Sequence, residues 1–274
     1  MTYGLAWVVA LPLWARGDRP GLVFATPLSS ILTSAALMTL PAFGVVAAWL
    51  VTRGSGLPWS WGADAGLTWG PSRRRTLGLI GLGWLGTVLL VFASILLSAA
   101  AGLLALDVHG PSASPAELLP GVASTVLLDP LLLLLPALGE ELGWRGWLVP
   151  RLRRYGIWAA FLLSGVIWGV WHAPYTLLGY TYPNLGAWAV LTMTGLCVVY
   201  GIILAWLRLS SGSVWPAAVS HAVFDGAAGV VLVIGHAGTP YNPALANVTG
   251  VIGWLVLGSV AAVLLRRGPL RGAA

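Results

Sequence analysis

Few residues in this 274-residue chain can do acid–base chemistry, and they fall at helical spacings. Two adjacent carboxylates, Glu140 and Glu141, precede Arg145 in the stretch GEELGWRG. Glu141 and Arg145 are four apart, which places them on one helix face as a structural ion pair. Glu140 is five from Arg145 and points roughly 140° away from it. The spacing therefore leaves Glu140 as the unpartnered carboxylate. His221 and Asp225 in SHAVFD repeat the four-residue spacing, as do Trp168 and His172 in WGVWH. Glutamate and histidine are side chains of general acid–base catalysis, and a purely structural core rarely needs Glu140, His172, His221 and Asp225 together. Asp129 lies three helical turns before Glu140 on nearly the same face. Its neighbour Pro130 also makes it a candidate cap or break point.

These residues must be held by elements that live in lipid. The chain is 58% hydrophobic and 8% charged, where a soluble domain carries about 25% charged residues. Many apolar segments reach the roughly 20 residues that a helix needs to cross a bilayer. The alternating pattern of a membrane barrel is absent. The composition predicts an all-α polytopic transmembrane helix bundle of seven to eight spans, forming one domain over 1–274. The spans fall at about 29–51, 76–106, 118–150, 157–179, 186–207, 213–235 and 250–266. A short segment at 4–15 makes the eighth and reads as a membrane segment rather than a signal peptide.

Arginine marks alternate connections. Arg53 and Arg73 to Arg75 fall in one, Arg151, Arg153 and Arg154 in a second, Arg208 in a third, and Arg266, Arg267 and Arg271 in the tail. The positive-inside rule then makes that side, and the carboxyl terminus, cytoplasmic. Arg16 and Arg19 agree with this if 4–15 lies in the membrane interface. The net charge of +6 is thus a topology signal, not a nucleic-acid footprint. Residues 52–75, rich in Gly, Trp and Arg, suit the headgroup level. The single cysteine, Cys197, excludes a disulfide within the chain and a cysteine-based zinc site, and reads as a small core residue. His109 and His236 lie near outward span ends and read as solvated. The 36 glycines imply close helix packing.

Ionisable groups inside a membrane are costly and are functional by default. Counted from the cytoplasmic span ends, Glu140 lies about 16 Å deep, His172 about 21 Å and His221 about 12 Å. In a hydrocarbon core about 30 Å thick, three separate helices offer these groups at compatible depth.

The three stretches resemble a known family. GEELGWRG is similar to the E-E-x-x-x-R motif of the CAAX prenyl protease and lysostaphin-resistance-type intramembrane proteases, also called CPBP or Abi proteins. WGVWH resembles its aromatic-x-x-x-His motif, begun here by Trp168 where Phe is usual. The stretch ending in SHAVFD resembles its His-x-x-x-Asn motif, with Asp225 where Asn is usual. The resemblance covers 117–228 as a catalytic core. It implies a membrane-embedded endopeptidase in which Glu140 is the general base on a water, His172 helps to hold that water, and His221 with position 225 stabilises the oxyanion. Glu141, Arg145 and Trp168 would support them. The implied substrate is a hydrophobic or prenylated membrane-associated peptide, in a bacterial-type plasma membrane and without nucleic acid. An ionised Asp225 cannot donate to an oxyanion, so it is either protonated or orients His221.

No cofactor is required by this reading. A zinc version would use Glu140, His172 and His221 as ligands, a set that catalytic zinc accepts. Other readings are a non-proteolytic binding or immunity factor, and an acid–base enzyme acting on an isoprenoid lipid. Trp144, Trp147, Trp168 and Trp171 would either line a pocket for such a chain or simply pack. A transporter is disfavoured because no internal repeat is visible.

Overall fold

A computed structural model describes residues 1–17, 28–53, 61–107, 115–235 and 239–267. Their regular structure is helical, with no β-strand among the described residues. The main helices are α1 (Thr2–Arg16), α2 (Leu28–Thr52) and α3 (Arg73–Ala100), then a long helical rod, α4 (Leu118–Tyr155). They are followed by α5 (Ile157–Trp171), α6 (Trp188–Ser211), α7 (Trp215–Ala227) and α8 (Val251–Arg267). His109, His236, Arg19 and Arg271 lie outside the described residues.

Five segments are long and apolar enough to cross a membrane: Leu32–Thr52, Arg73–Ala100, Leu118–Tyr155, Trp188–Ser211 and Trp215–Ile234. The expected seven to eight spans are thus not reached among the described residues. α1, α5 and α8 have 15, 15 and 17 residues. At α5 the physical reason is Pro174. A proline offers no N–H to the ladder and clashes with the preceding turn, so the helix stops at Trp171 and a short turn, Ala173–Thr176, follows.

The arginines also move relative to their expected loops. Arg73 to Arg75 form the first turn of α3, where the Ser72 hydroxyl accepts from the Arg75 N–H at 3.3 Å. Arg208 lies in the last turn of α6 and is buried. It suits that place because a cation complements the helix C-terminus, and glycine at position 66 leaves room for its guanidinium. Arg151 to Arg154 close α4, with the Arg151 guanidinium 4.4 Å over the Trp147 ring.

The rod α4 is longer than a straight crossing requires. Its 38 residues would rise about 57 Å, against a core of about 30 Å. It contains two π-helical stretches, Ser124–Leu128 and Leu142–Leu148. The second holds Trp144 and Arg145 and begins one residue after Glu141. Such bulges rotate the following side chains and are frequent at functional sites.

Glycines set how closely the helices meet. Gly165 and Gly169 on α5 form a G-x-x-x-G face against α6. A Cβ at Gly165 would lie 2.6 Å from the Val198 Cα, and one at Gly169 would collide with the Thr194 backbone. Small residues at this spacing let membrane helices approach backbone to backbone. Trp168 lies between the two glycines, so this contact fixes where its ring reaches. α7 is tied on its other sides by polar groups: Ser220 Oγ lies 2.8 Å from Thr87 Oγ1 of α3, and the Tyr200 hydroxyl of α6 donates to the Ser220 carbonyl at 2.8 Å.

Candidate active site

Glu140, Trp168, His172, His221 and Asp225 line one cavity of about 420 Å³. They come from α4, α5, the residue that ends α5, and α7. Glu140, His172 and His221 thus face a common space. Asp129 lines the same cavity from the start of the α-helical turn Asp129–Glu141, and accepts from the Ser124 hydroxyl at 3.2 Å. Cys197 is buried as expected, but it also borders the cavity, with its Sγ 4.0 Å from His172 Nδ1.

Glu140 is not the unpartnered group that its spacing from Arg145 suggests. Its Oε2 accepts from the Trp144 indole N–H at 3.1 Å and from the Trp168 indole N–H at 2.5 Å. Trp144 is four residues on, so the same helical rule applied to all polar groups finds it. The Trp168 contact crosses between helices and has no signal in the sequence.

The Glu141–Arg145 pair forms as expected, with Arg145 Nη1 2.6 Å from Glu141 Oε1 and both residues buried. It does more than hold α4. The same Glu141 Oε1 accepts from His221 Nδ1 at 2.9 Å. The Arg145 guanidinium lies over the Trp168 ring, 4.1 Å from its centroid, a favourable placement for a cation on an indole face. The absence of a side chain at Gly201 leaves it room on the α6 side.

The imidazoles are oriented by these contacts. His172 Nδ1 lies 2.9 Å from the Trp168 carbonyl. A carbonyl only accepts, so Nδ1 carries the proton and Nε2 is left as an acceptor. His221 donates from Nδ1 to Glu141, and its Nε2 stands 3.6 Å from Asp225 Oδ2, an ion-pair separation rather than a hydrogen bond. His221 is therefore flanked by a carboxylate on each side. Trp168 touches all of this: its ring meets the His221 ring edge-on at 5.2 Å and the His172 ring at 5.8 Å.

Of the other tryptophans considered for the pocket, Trp144 and Trp171 pack against each other edge-on at 5.6 Å. Trp147 is half-buried beside Arg151. Four tyrosines also border the cavity, Tyr175, Tyr180, Tyr200 and Tyr241. Nothing in their spacing points to it. Leu132 and Leu232 line the cavity yet are 79% and 42% exposed, so its wall reaches the apolar outer surface of the bundle.

A zinc ion would need lone pairs of Glu140, His172 and His221 to converge. Glu140 Oε2 takes two indole donors and His221 Nε2 faces Asp225, while Glu140 Oε1 and His172 Nε2 are left open. The Glu141 contact orients His221 as such carboxylates orient metal-binding histidines. Among the described residues no three His, Cys, Asp or Glu side chains form a group that fits a metal ion.

Comparison with known proteins supports the resemblance to CAAX proteases. Residues 122–227 match the family model for the Type II CAAX prenyl endopeptidase Rce1-like proteins. A CAAX prenyl protease 2 from Methanococcus maripaludis is 36% identical over 85 residues, which cover 29% of this chain and 31% of that protein. The alignment thus spans about a third of the relative's length. The matched segment contains every residue from Asp129 to Asp225 discussed above. With the apolar helices, it supports an integral membrane protein related to CAAX proteases.

Proposed function

We propose that this protein is a membrane-embedded endopeptidase that cleaves a hydrophobic or prenylated membrane-associated peptide. The observation that carries the reading is the single cavity bordered by Glu140, His172, His221 and Asp225. In the proposed step, Glu140 takes a proton from a water whose other hydrogen is accepted by His172 Nε2. The hydroxide adds to the peptide carbonyl, and the resulting oxyanion is stabilised by the N–H of His221 Nε2. Collapse breaks the C–N bond, and Glu140 returns its proton to the leaving amine.

Asp225 favours a charged His221 in this scheme. A carboxylate cannot donate to the oxyanion, but two carboxylates facing one imidazole support the imidazolium. Glu141 fixes its Nδ1 proton, with Arg145 sharing the same carboxylate oxygen. The route uses no metal. Elemental analysis of purified active protein checks this, and stoichiometric zinc that tracks activity would overturn it. The arginine-bearing side and the carboxyl terminus face the cytoplasm of a bacterial-type plasma membrane in this reading.

The decisive experiment is cleavage of a prenylated carboxyl-terminal peptide by the full chain in proteoliposomes. Glu140→Gln should abolish cleavage while the protein remains folded, and His172→Ala and His221→Ala should each lower it by about 10²–10⁴. Cleavage by Glu140→Gln at the parental rate would refute the mechanism.

A further inference from the structure

The carboxylates in this cluster are held by different means. Glu141 has the Arg145 guanidinium and the His221 imidazole. Asp225 faces the other nitrogen of His221. Both cationic groups that adjoin the site are therefore engaged elsewhere: His221 acts on Glu140 only across space, and among the described residues no ion pair is made to Glu140. The other titratable groups bordering the cavity are His172 from the end of α5, Cys197 and Tyr200 from α6, Tyr175, Tyr180 and Tyr241 from the connecting segments, and Asp129 earlier on α4. His172 donates its Nδ1 proton to a carbonyl, so none of them brings Glu140 a positive charge. What Glu140 does have is two indole N–H groups on a single oxygen, Oε2.

We propose that Trp144 and Trp168 are positioning residues that help hold Glu140 as a carboxylate without an ion pair, leaving Oε1 for the substrate side. A donor to the charged form of a carboxyl favours that form, and an indole donates without being able to accept or to lose its proton. Two indoles on one oxygen also fix the rotation of the carboxylate plane. Trp168 supplies the stronger geometry, and the G-x-x-x-G contact of α5 with α6 sets its position. The assignment of Oε1 to the attacked water rests on the hydrolytic reading; the charge state of Glu140 does not.

The test uses dicyclohexylcarbodiimide, an apolar reagent that adds to protonated carboxyls and not to carboxylates, on the full chain in lipid vesicles at neutral pH. Labelling of Glu140 is read by peptide mass spectrometry. Trp168→Phe keeps the ring and removes the N–H, and should label Glu140 several-fold faster than the parent. Trp144→Phe should do so to a smaller extent, and the double variant most of all. Trp171→Phe is the control. Trp171 is buried, its N–H has no partner among the described residues, and it packs against both Trp144 and His172. It should label at the parental rate. Parental labelling in Trp168→Phe and in the double variant would overturn the inference, as would an equal rise in Trp171→Phe. Labelling requires no cleavage, so the predicted pattern in an inactive protein would sink the hydrolytic reading alone.

Discussion

α4 and α7 both carry site residues, yet they occupy opposite environments. Of the apolar stretch in Trp215–Ile234, 78% is buried inside the protein, against 11% in Leu118–Tyr155. Hydropathy does not distinguish them, since lipid and protein interior are equally apolar. What separates them is side-chain size and distribution. α7 reads WPAAVSHAVFDGA, with small residues all round, and meets neighbours on nearly every face. α4 presents Leu131, Leu132 and Leu135 outward and keeps Gly139 and Gly143 for its contact with α2. The outer helix thus behaves like an inner one only over residues 139–146, the segment that carries Glu140, Glu141 and Arg145 and is buried on every face.

Arg145 lies in the buried segment of the otherwise outward-facing α4. Arg145→Met removes the cation beside Glu141 and leaves a buried carboxylate with His221 as its remaining partner. Breaking one side of a buried pair costs about 3–5 kcal/mol. Reversible unfolding in mixed micelles should show a loss of that order, although the substituted residue belongs to the least buried span.

A smaller effect is expected within α7. Ala222 is 1% exposed, so Ala222→Leu must displace packed neighbours, at about 1–3 kcal/mol. Weaker again is the hydrogen bond between Thr87 and Ser220. Such bonds between membrane helices average about 0.6 kcal/mol, and Thr87→Val should lower stability by roughly that amount. A loss as large as that of Arg145→Met would mean that polar ties, not close packing, hold α7 in place.

The same contrast explains what was legible in the sequence. Spacing of four residues recovered Glu141 with Arg145, His221 with Asp225 and Trp168 with His172, because those contacts are local to one helix. The contact of Trp144 on Glu140 has the same four-residue spacing. Contacts between helices were not legible. Glu141 to His221 and Trp168 to Glu140 depend on how α4, α5 and α7 are rotated, and that is fixed by where Gly165, Gly169 and Gly201 allow backbones and guanidinium to approach. Span ends failed for another reason. Hydropathy runs through Pro174 and up to Arg208, whereas backbone hydrogen bonding stops α5 and helix geometry retains Arg208.

The least costly substitution should lie on the outward face of α4. Leu132 is 79% exposed, so lipid rather than protein surrounds most of it. Leu132→Ala exchanges one apolar contact with lipid for another and leaves no internal void, unlike a leucine removed from a packed core, which costs about 2–5 kcal/mol. A change within about 0.5 kcal/mol is expected, as for substitutions away from any packed or paired feature. Leu132 also borders the cavity, so the substitution thins the wall between the site and the lipid. Parental stability with altered cleavage of a prenylated peptide would show the outer face of α4 acting on access alone. A stability loss matching that of Ala222→Leu would instead show that α4 is packed there, and the contrast with α7 would fail.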